Sequence, residues 1–119
     1  MITGISDRGV FTSLRERGAH VRTGDLRVRY LANVGSNSTP AVPQVAYSIS
    51  RKVGNAVTRN RIRRRLRSLF TEYLGEHPEV LSAALVIVLP GARDRTYAEL
   101  EEQVLKLFRK IENSTESAQ

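Results

Sequence analysis

A chain of 119 residues, 40% of them hydrophobic, suits one domain built on one core. It has no cysteine, which excludes disulfides and thiolate chemistry, and no stretch has the length of a membrane span or a signal-peptide core, so a cytoplasmic protein is expected. Its 19 Lys and Arg stand against 12 Asp and Glu, and a formal net charge of +7 points to a polyanionic partner rather than a membrane.

Ser6 to Arg17 reads as a short helix. Ser6 can cap it, Val10, Phe11 and Leu14 share a face, and Gly18 fits the position just past its end. Val21 to Ala32 is extended, because Leu26, Val28 and Tyr30 alternate with Arg27 and Arg29; Thr23-Gly24-Asp25 is a candidate turn within it. Gly35 to Pro43 is a Ser/Asn/Pro loop without periodicity, expected to be mobile. Gln44 to Ser50 is a second strand, with Val45, Tyr47 and Ile49 on one face and Ala46, Ser48 and Ser50 on the other.

Gly54-Asn55 breaks the chain, as a positive-φ turn and a helix cap, before a long helix from about Ala56 to Leu74. Ile62, Leu66, Leu69, Phe70 and Tyr73 form its single apolar stripe. Ala83 to Leu89 is a continuous apolar run, the pattern of a central strand buried on both faces. Thr96-x-x-Glu99 is a capping box that opens a last helix, with Tyr97, Leu100, Val104, Leu107, Phe108 and Ile111 as its stripe. Asn113 to Gln119 is polar and reads as a flexible tail.

The charge is unevenly placed. No acid occurs between Asp25 and Glu72, and eight of the seventeen side chains from Arg51 to Arg67 are cationic. Like charges at i,i+4, as in Arg59/Arg63, Arg61/Arg65 and Arg63/Arg67, each cost a helix roughly 0.2–0.5 kcal/mol. Cations near a helix N-terminus also oppose its dipole. A nucleic acid outside the chain compensates both effects. Residues 72–119 hold nine acids against five bases, so the positive field comes from the middle of the chain. The acids sit mostly toward the C-terminus, where Glu99, Glu101 and Glu102 suit a helix N-terminus. No general acid–base pair and no carboxylate cluster of the kind a metal-dependent nuclease needs is evident.

The run Arg51-Lys52-Val53-Gly54-Asn55-Ala56-Val57-x-Arg59-Asn60-Arg61-Ile62-Arg63-Arg64-x-Leu66-Arg67 resembles the signature of the protein subunit of bacterial ribonuclease P. The resemblance covers about residues 5 to 112 of a single RNA-binding domain spanning 1–119, with the tail at 113–119 outside it. It implies an α+β fold: a single-domain α/β sandwich related to a ribosomal-protein domain, in the order αβββαβα, with a left-handed βαβ crossover. General chirality alone favours a right-handed one, at roughly 98%.

The resemblance also implies a function. In that family an RNA subunit is the catalyst that removes the 5′ leader of precursor tRNA. The protein docks on that RNA, grips the single-stranded leader and improves binding of Mg²⁺, which is held mainly by RNA subunit and substrate; no obligate protein partner is expected. By position, Arg59, Asn60, Arg61, Arg63, Arg64 and Arg67 match the arginine-helix motif and Arg51 and Lys52 its basic lead-in. Phe11 matches the cleft aromatic of the first helix, although alone it reads more simply as core. Arg29, Ser48 and Ser50 belong to the cleft floor. Two positions that are often aromatic in the family are here Arg15 and Arg29, which shifts leader contact toward phosphate pairing and arginine stacking. The alternative is a ribosome-associated or nucleoid-binding module with no enzymatic partner.

Overall fold

The computed structural model describes residues 8–32 and 43–117. The elements follow in the order α1 (Arg8–Arg17), β1 (Ala19–Thr23), β2 (Leu26–Ala32), β3 (Gln44–Ile49), α2 (Ala56–Glu76), β4 (Leu81–Val88), a 3-10 turn (Pro90–Asp94) and α3 (Tyr97–Ser117). The candidate cap Ser6 and residues 35–42 of the expected loop lie outside the described residues. α3 continues past Asn113 to Ser117, because no helix breaker intervenes.

The four strands form one mixed sheet in the order β1-β2-β4-β3. β1, β2 and β4 are successively antiparallel, and β3 lies parallel to β4, joined to it through α2. The candidate turn does split the first extended stretch into a hairpin, with Gly24 at φ +52. That is the only positive-φ glycine among the described residues. Gly54 therefore has ordinary backbone, and the expectation of positive φ there is corrected. Asn55 alone makes the helix start, its Oδ1 accepting from the Thr58 amide at 2.9 Å.

Register assigns the two faces of the sheet. Tyr30, Ala84 and Val45 form one cross-strand row, followed by Val28, Val86, Tyr47 and then Leu26, Val88, Ile49. These rows meet Ile62, Leu66, Leu69, Phe70 and Leu74 of α2 and Leu100, Val104, Leu107, Phe108 and Ile111 of α3 in one core. Phe70 is its hub, edge-on to Tyr47 at 6.0 Å and tilted against Phe108 at 5.2 Å. Tyr73 stacks on Phe108 at 4.0 Å, and its hydroxyl donates to Glu112 Oε1 at 2.6 Å. Burial and that hydrogen bond push the Tyr73 phenol up to about 12. Tyr97, expected in the α3 stripe, is the first residue of that helix and is exposed instead.

The other face carries the rows Leu31, Ala83, Gln44; Arg29, Leu85, Ala46; and Arg27, Ile87, Ser48. α1 lies over β2 and β4 on this side and buries Leu14. One short helix cannot cover four strands. Leu85 and Ile87 therefore stay half-buried, and β4 is not buried on both faces as its apolar run suggests.

Asp25 locks the hairpin to the C-terminal elements. Its carboxylate accepts from Arg95 Nε at 2.7 Å and from Gln103 Nε2 at 3.1 Å, while its amide donates to Gln103 Oε1 at 3.0 Å. A Cβ at Gly91 would collide with Asp25 Oδ1, so this close approach needs glycine.

Candidate nucleic-acid interface

The arginine helix is built against its own electrostatics. α2 has no acid in its first turn and no base in its last, and its acids Glu72 and Glu76 fall in the C-terminal part. This is the reverse of what the helix dipole favours. Packing compensates: Ile62, Leu66, Leu69, Phe70 and Leu74 are all buried, at about 1.5–3 kcal/mol each. A few like-charge pairs at roughly 0.2–0.5 kcal/mol each are small beside that sum. The apolar stripe thus carries the fold and leaves the other flank free to concentrate charge.

That flank is intact. Arg51, Lys52, Asn60, Arg64 and Arg67 are exposed, and Arg59, Arg61 and Arg63 are half-exposed. Among the described residues, none of the eight cations from Arg51 to Arg67 makes an ion pair. Arg63 Nη1 donates to Asn60 Oδ1 at 3.0 Å, which orients the guanidinium along the helix. The Nε atoms of Arg59 and Arg61 are buried without an acceptor, so their stems are fixed by packing while the charged ends reach outward. Arg65 differs. Its Nη1 donates to the main-chain oxygen of Arg95 at 3.4 Å, holding α2 to the segment after the 3-10 turn.

The lead-in residues occupy the turn between β3 and α2. Val53 N donates to Ser50 O at 3.0 Å, and Lys52 N to the Ser50 hydroxyl at 3.3 Å. Ser50 thus sits past the end of the strand and shapes the turn. Ser48 lies exposed on the open face of the sheet, opposite Ile87.

Phe11 is 40% exposed on α1, and Leu14 alone supplies that helix's buried anchor. Arg29 is half-buried on the open face of β2 and donates to the Arg15 carbonyl at 3.3 Å. The register places Arg27 and Arg29 on one side of Leu85 and Ile87, and Ala46 and Ser48 on the other. An apolar floor flanked by guanidinium groups and a hydroxyl suits bases below and phosphates at the sides. β3 leads from this floor straight into the basic turn and α2, so the arginine helix borders it.

Sequence reasoning missed three contributors. Leu85 and Ile87 were legible as the alternate residues of the β4 run. Val57, 73% exposed, is the apolar residue of the motif that falls off the α2 stripe. The donors at this surface are guanidinium, ammonium, hydroxyl and amide groups, whereas Mg²⁺ requires oxygen ligands, chiefly carboxylates. The chain's own residues here do not fit a magnesium site.

Comparison with known proteins bears on the family and the fold. The ribonuclease P family model matches residues 3–112. The ribonuclease P protein component of a Nocardioides species is 34% identical over 108 residues, covering 90% of this chain and 89% of that one. That of Gluconacetobacter diazotrophicus is 33% identical over 106 residues, covering 89% and 88%. The fold matches the RNase P protein of Staphylococcus aureus with a TM-score of 0.69, 23% identity and coverage of 88% and 91%. It matches that of Thermotoga maritima at 0.70, with 19% identity and coverage of 90% and 96%.

Proposed function

The chain belongs to the ribonuclease P protein family, and we propose that its two basic surfaces divide the work of that ribonucleoprotein between them. As a protein component of this endoribonuclease it has an RNA subunit for a partner. Arg51, Lys52, Arg59, Asn60, Arg61, Arg63, Arg64 and Arg67 bind the RNA subunit. Phe11, Arg29 and Ser48, with the turn at Ser50, take the single-stranded 5′ leader of precursor tRNA over the open sheet face. Single-stranded RNA suits that face because stacking and phosphate contacts need no base-pair geometry.

The observation that carries this reading is the acid-free, unpaired cationic flank of α2, kept in place by a fully buried apolar stripe. The RNA subunit and the substrate phosphates hold the catalytic Mg²⁺. The protein's part is to neutralise phosphates that would otherwise repel one another as substrate and RNA come together. The cytoplasm, where precursor tRNA is made in a bacterium, is its place of action.

Reconstitution tests the reading. The chain combined with a bacterial ribonuclease P RNA should remove the 5′ leader from precursor tRNA at Mg²⁺ concentrations where that RNA alone is slow. The RNA-free chain should leave the same substrate intact. Robust cleavage by the RNA-free chain, or no effect of the chain on the RNA's activity, refutes it.

A further inference from the structure

A second cationic recess lies across the sheet from the arginine helix. α2 packs toward β3, whereas α3 lies over β1 and β2, at the opposite edge. There Lys106, Arg109 and Lys110 share one helix face at i, i+3 and i+4. With Thr23, Gly24 and Asn113 they line a recess of about 260 Å³ beside the β1–β2 turn.

Its charge is concentrated and partly fixed. Residues 72–119 hold five bases in all, and three of them are in this recess. Lys110 Nζ donates to the main-chain oxygen of Arg22 at 2.8 Å, which ties the ammonium to the hairpin. Lys106 faces Glu102 at 3.3 Å. The nearby Asp25 carboxylate is engaged by Arg95 and Gln103. Arg109 is exposed and makes no ion pair among the described residues. The Arg22 side chain lies on the open sheet face, opposite Arg27, and both are exposed. Arg29, Arg27 and Arg22 therefore lead across β2 and β1 to the sheet edge that α3 borders.

We propose that this recess binds backbone phosphates of an RNA strand, so that the RNA track continues from the open sheet face over the β1 edge onto α3. The proposal rests on the chain being an RNA-binding subunit and adds a contact at the edge remote from the arginine helix. The phosphates come either from a leader long enough to pass the cleft or from a segment of the RNA subunit. The chemistry is the same for both.

The double variant Lys106→Gln/Arg109→Gln tests it, because Lys110 and its hairpin bond stay in place. Affinity is measured across 50–200 mM salt for three pairs: chain with RNA subunit, holoenzyme with short-leader precursor, and holoenzyme with long-leader precursor. Loss of two single-strand contacts should flatten the log–log salt slope by about 1.4, or about 1.8 for duplex-like RNA. A loss confined to the long leader identifies the leader; a loss with the RNA subunit identifies that subunit. Arg109→Lys with Lys106 intact should retain binding. Unchanged affinity and slope in all three pairs, with an unchanged melting curve, overturns the proposal. Arg64→Ala/Arg67→Ala is measured alongside. If that variant loses RNA while the recess variant does not, only the recess fails; if neither loses RNA, the RNA-binding reading fails as well.

Discussion

Arg29, on the open face of β2, donates from Nη1 to the main-chain oxygen of Arg15 at 3.3 Å, closing the C-terminal turn of α1 onto the sheet. A cation at a helix C-terminus meets the negative end of the dipole and an orphan carbonyl, so the contact is favourable both ways. The Arg29 side chain thus meets the Arg15 backbone, and a charged hydrogen bond holds α1 to β2 there.

Arg29→Ala should therefore act twice. Loss of an exposed charged hydrogen bond should lower stability by about 1 kcal/mol or less. Loss of one phosphate contact to a single strand should also reduce the salt slope of precursor binding by about 0.7. Melting curves and binding isotherms across salt measure the two effects separately. An unchanged slope would leave Arg29 a purely structural clamp.

Arg64 and Arg67 are exposed on the flank of α2, and neither makes an ion pair among the described residues. Arg67 lies near enough to Tyr47 to favour its phenolate, but burial dominates and raises that phenol above its usual range. Removing either arginine should spare the fold. Arg64→Ala and Arg67→Ala should each weaken binding to the RNA subunit and flatten its salt slope by about 0.9 on duplex-like RNA. Arg65→Ala is the contrast, since its guanidinium is turned to the Arg95 carbonyl. It should lower the melting temperature more than it changes the slope.

The reach of the sequence follows from what its signals measure. Period-2 alternation in Leu26–Tyr30 and Val45–Ile49 and the stripe Ile62–Phe70 report burial by neighbours along the same element, and all three elements stand where they were expected. The Thr96–Glu99 box is purely local and is present in both directions, at 2.9 and 3.2 Å. The run Ala83–Leu89 shows the limit. Whether its second face is covered depends on how far α1 extends over the sheet, a tertiary fact invisible from within the strand. Gly24 and Gly54 show the same limit: both precede polar residues, yet only the hairpin turn requires the left-handed region. Arg65 belongs to the same charge run as Arg64, and only packing against the 3-10 turn segment separates their roles.

The capping box gives a pH signature. The Thr96 amide and hydroxyl, with a smaller contribution from Arg95, hold the Glu99 carboxyl below its usual value of 4.5. A carboxylate whose folded pKa is depressed stabilises the fold above its unfolded pKa, and that contribution fades as pH falls through the folded value. The melting temperature of Glu99→Gln should therefore lie below wild type at neutral pH, and the gap should close as the pH falls below the carboxyl's usual 4.5 and through its lowered folded value. A gap that stays constant down to strongly acid pH would show that the charge of Glu99 contributes nothing.

Phe11 provides the sharpest test of the cleft. A phenylalanine that is 40% exposed on a helix otherwise anchored by the fully buried Leu14 is not core. Its truncation should cost far less than the roughly 3–5 kcal/mol of a buried Phe→Ala. What the ring offers instead is an exposed π face on the helix that lies over β2 and β4. There it can stack on a leader base for about 1–3 kcal/mol, with little regard to sequence. Phe11→Ala should then weaken holoenzyme binding to precursor tRNA by about 5- to 150-fold, the range that stacking energy spans. Affinity for mature tRNA, which lacks the leader, should stay nearly constant, and so should the melting temperature. Equal losses for both ligands together with a lower melting temperature would mean that the ring supports the fold. Equal losses at constant stability would place it against the tRNA body. Only a loss specific to the precursor puts Phe11 on the leader, and a Phe11→Tyr variant that keeps the π face should then retain the wild-type difference between the two ligands.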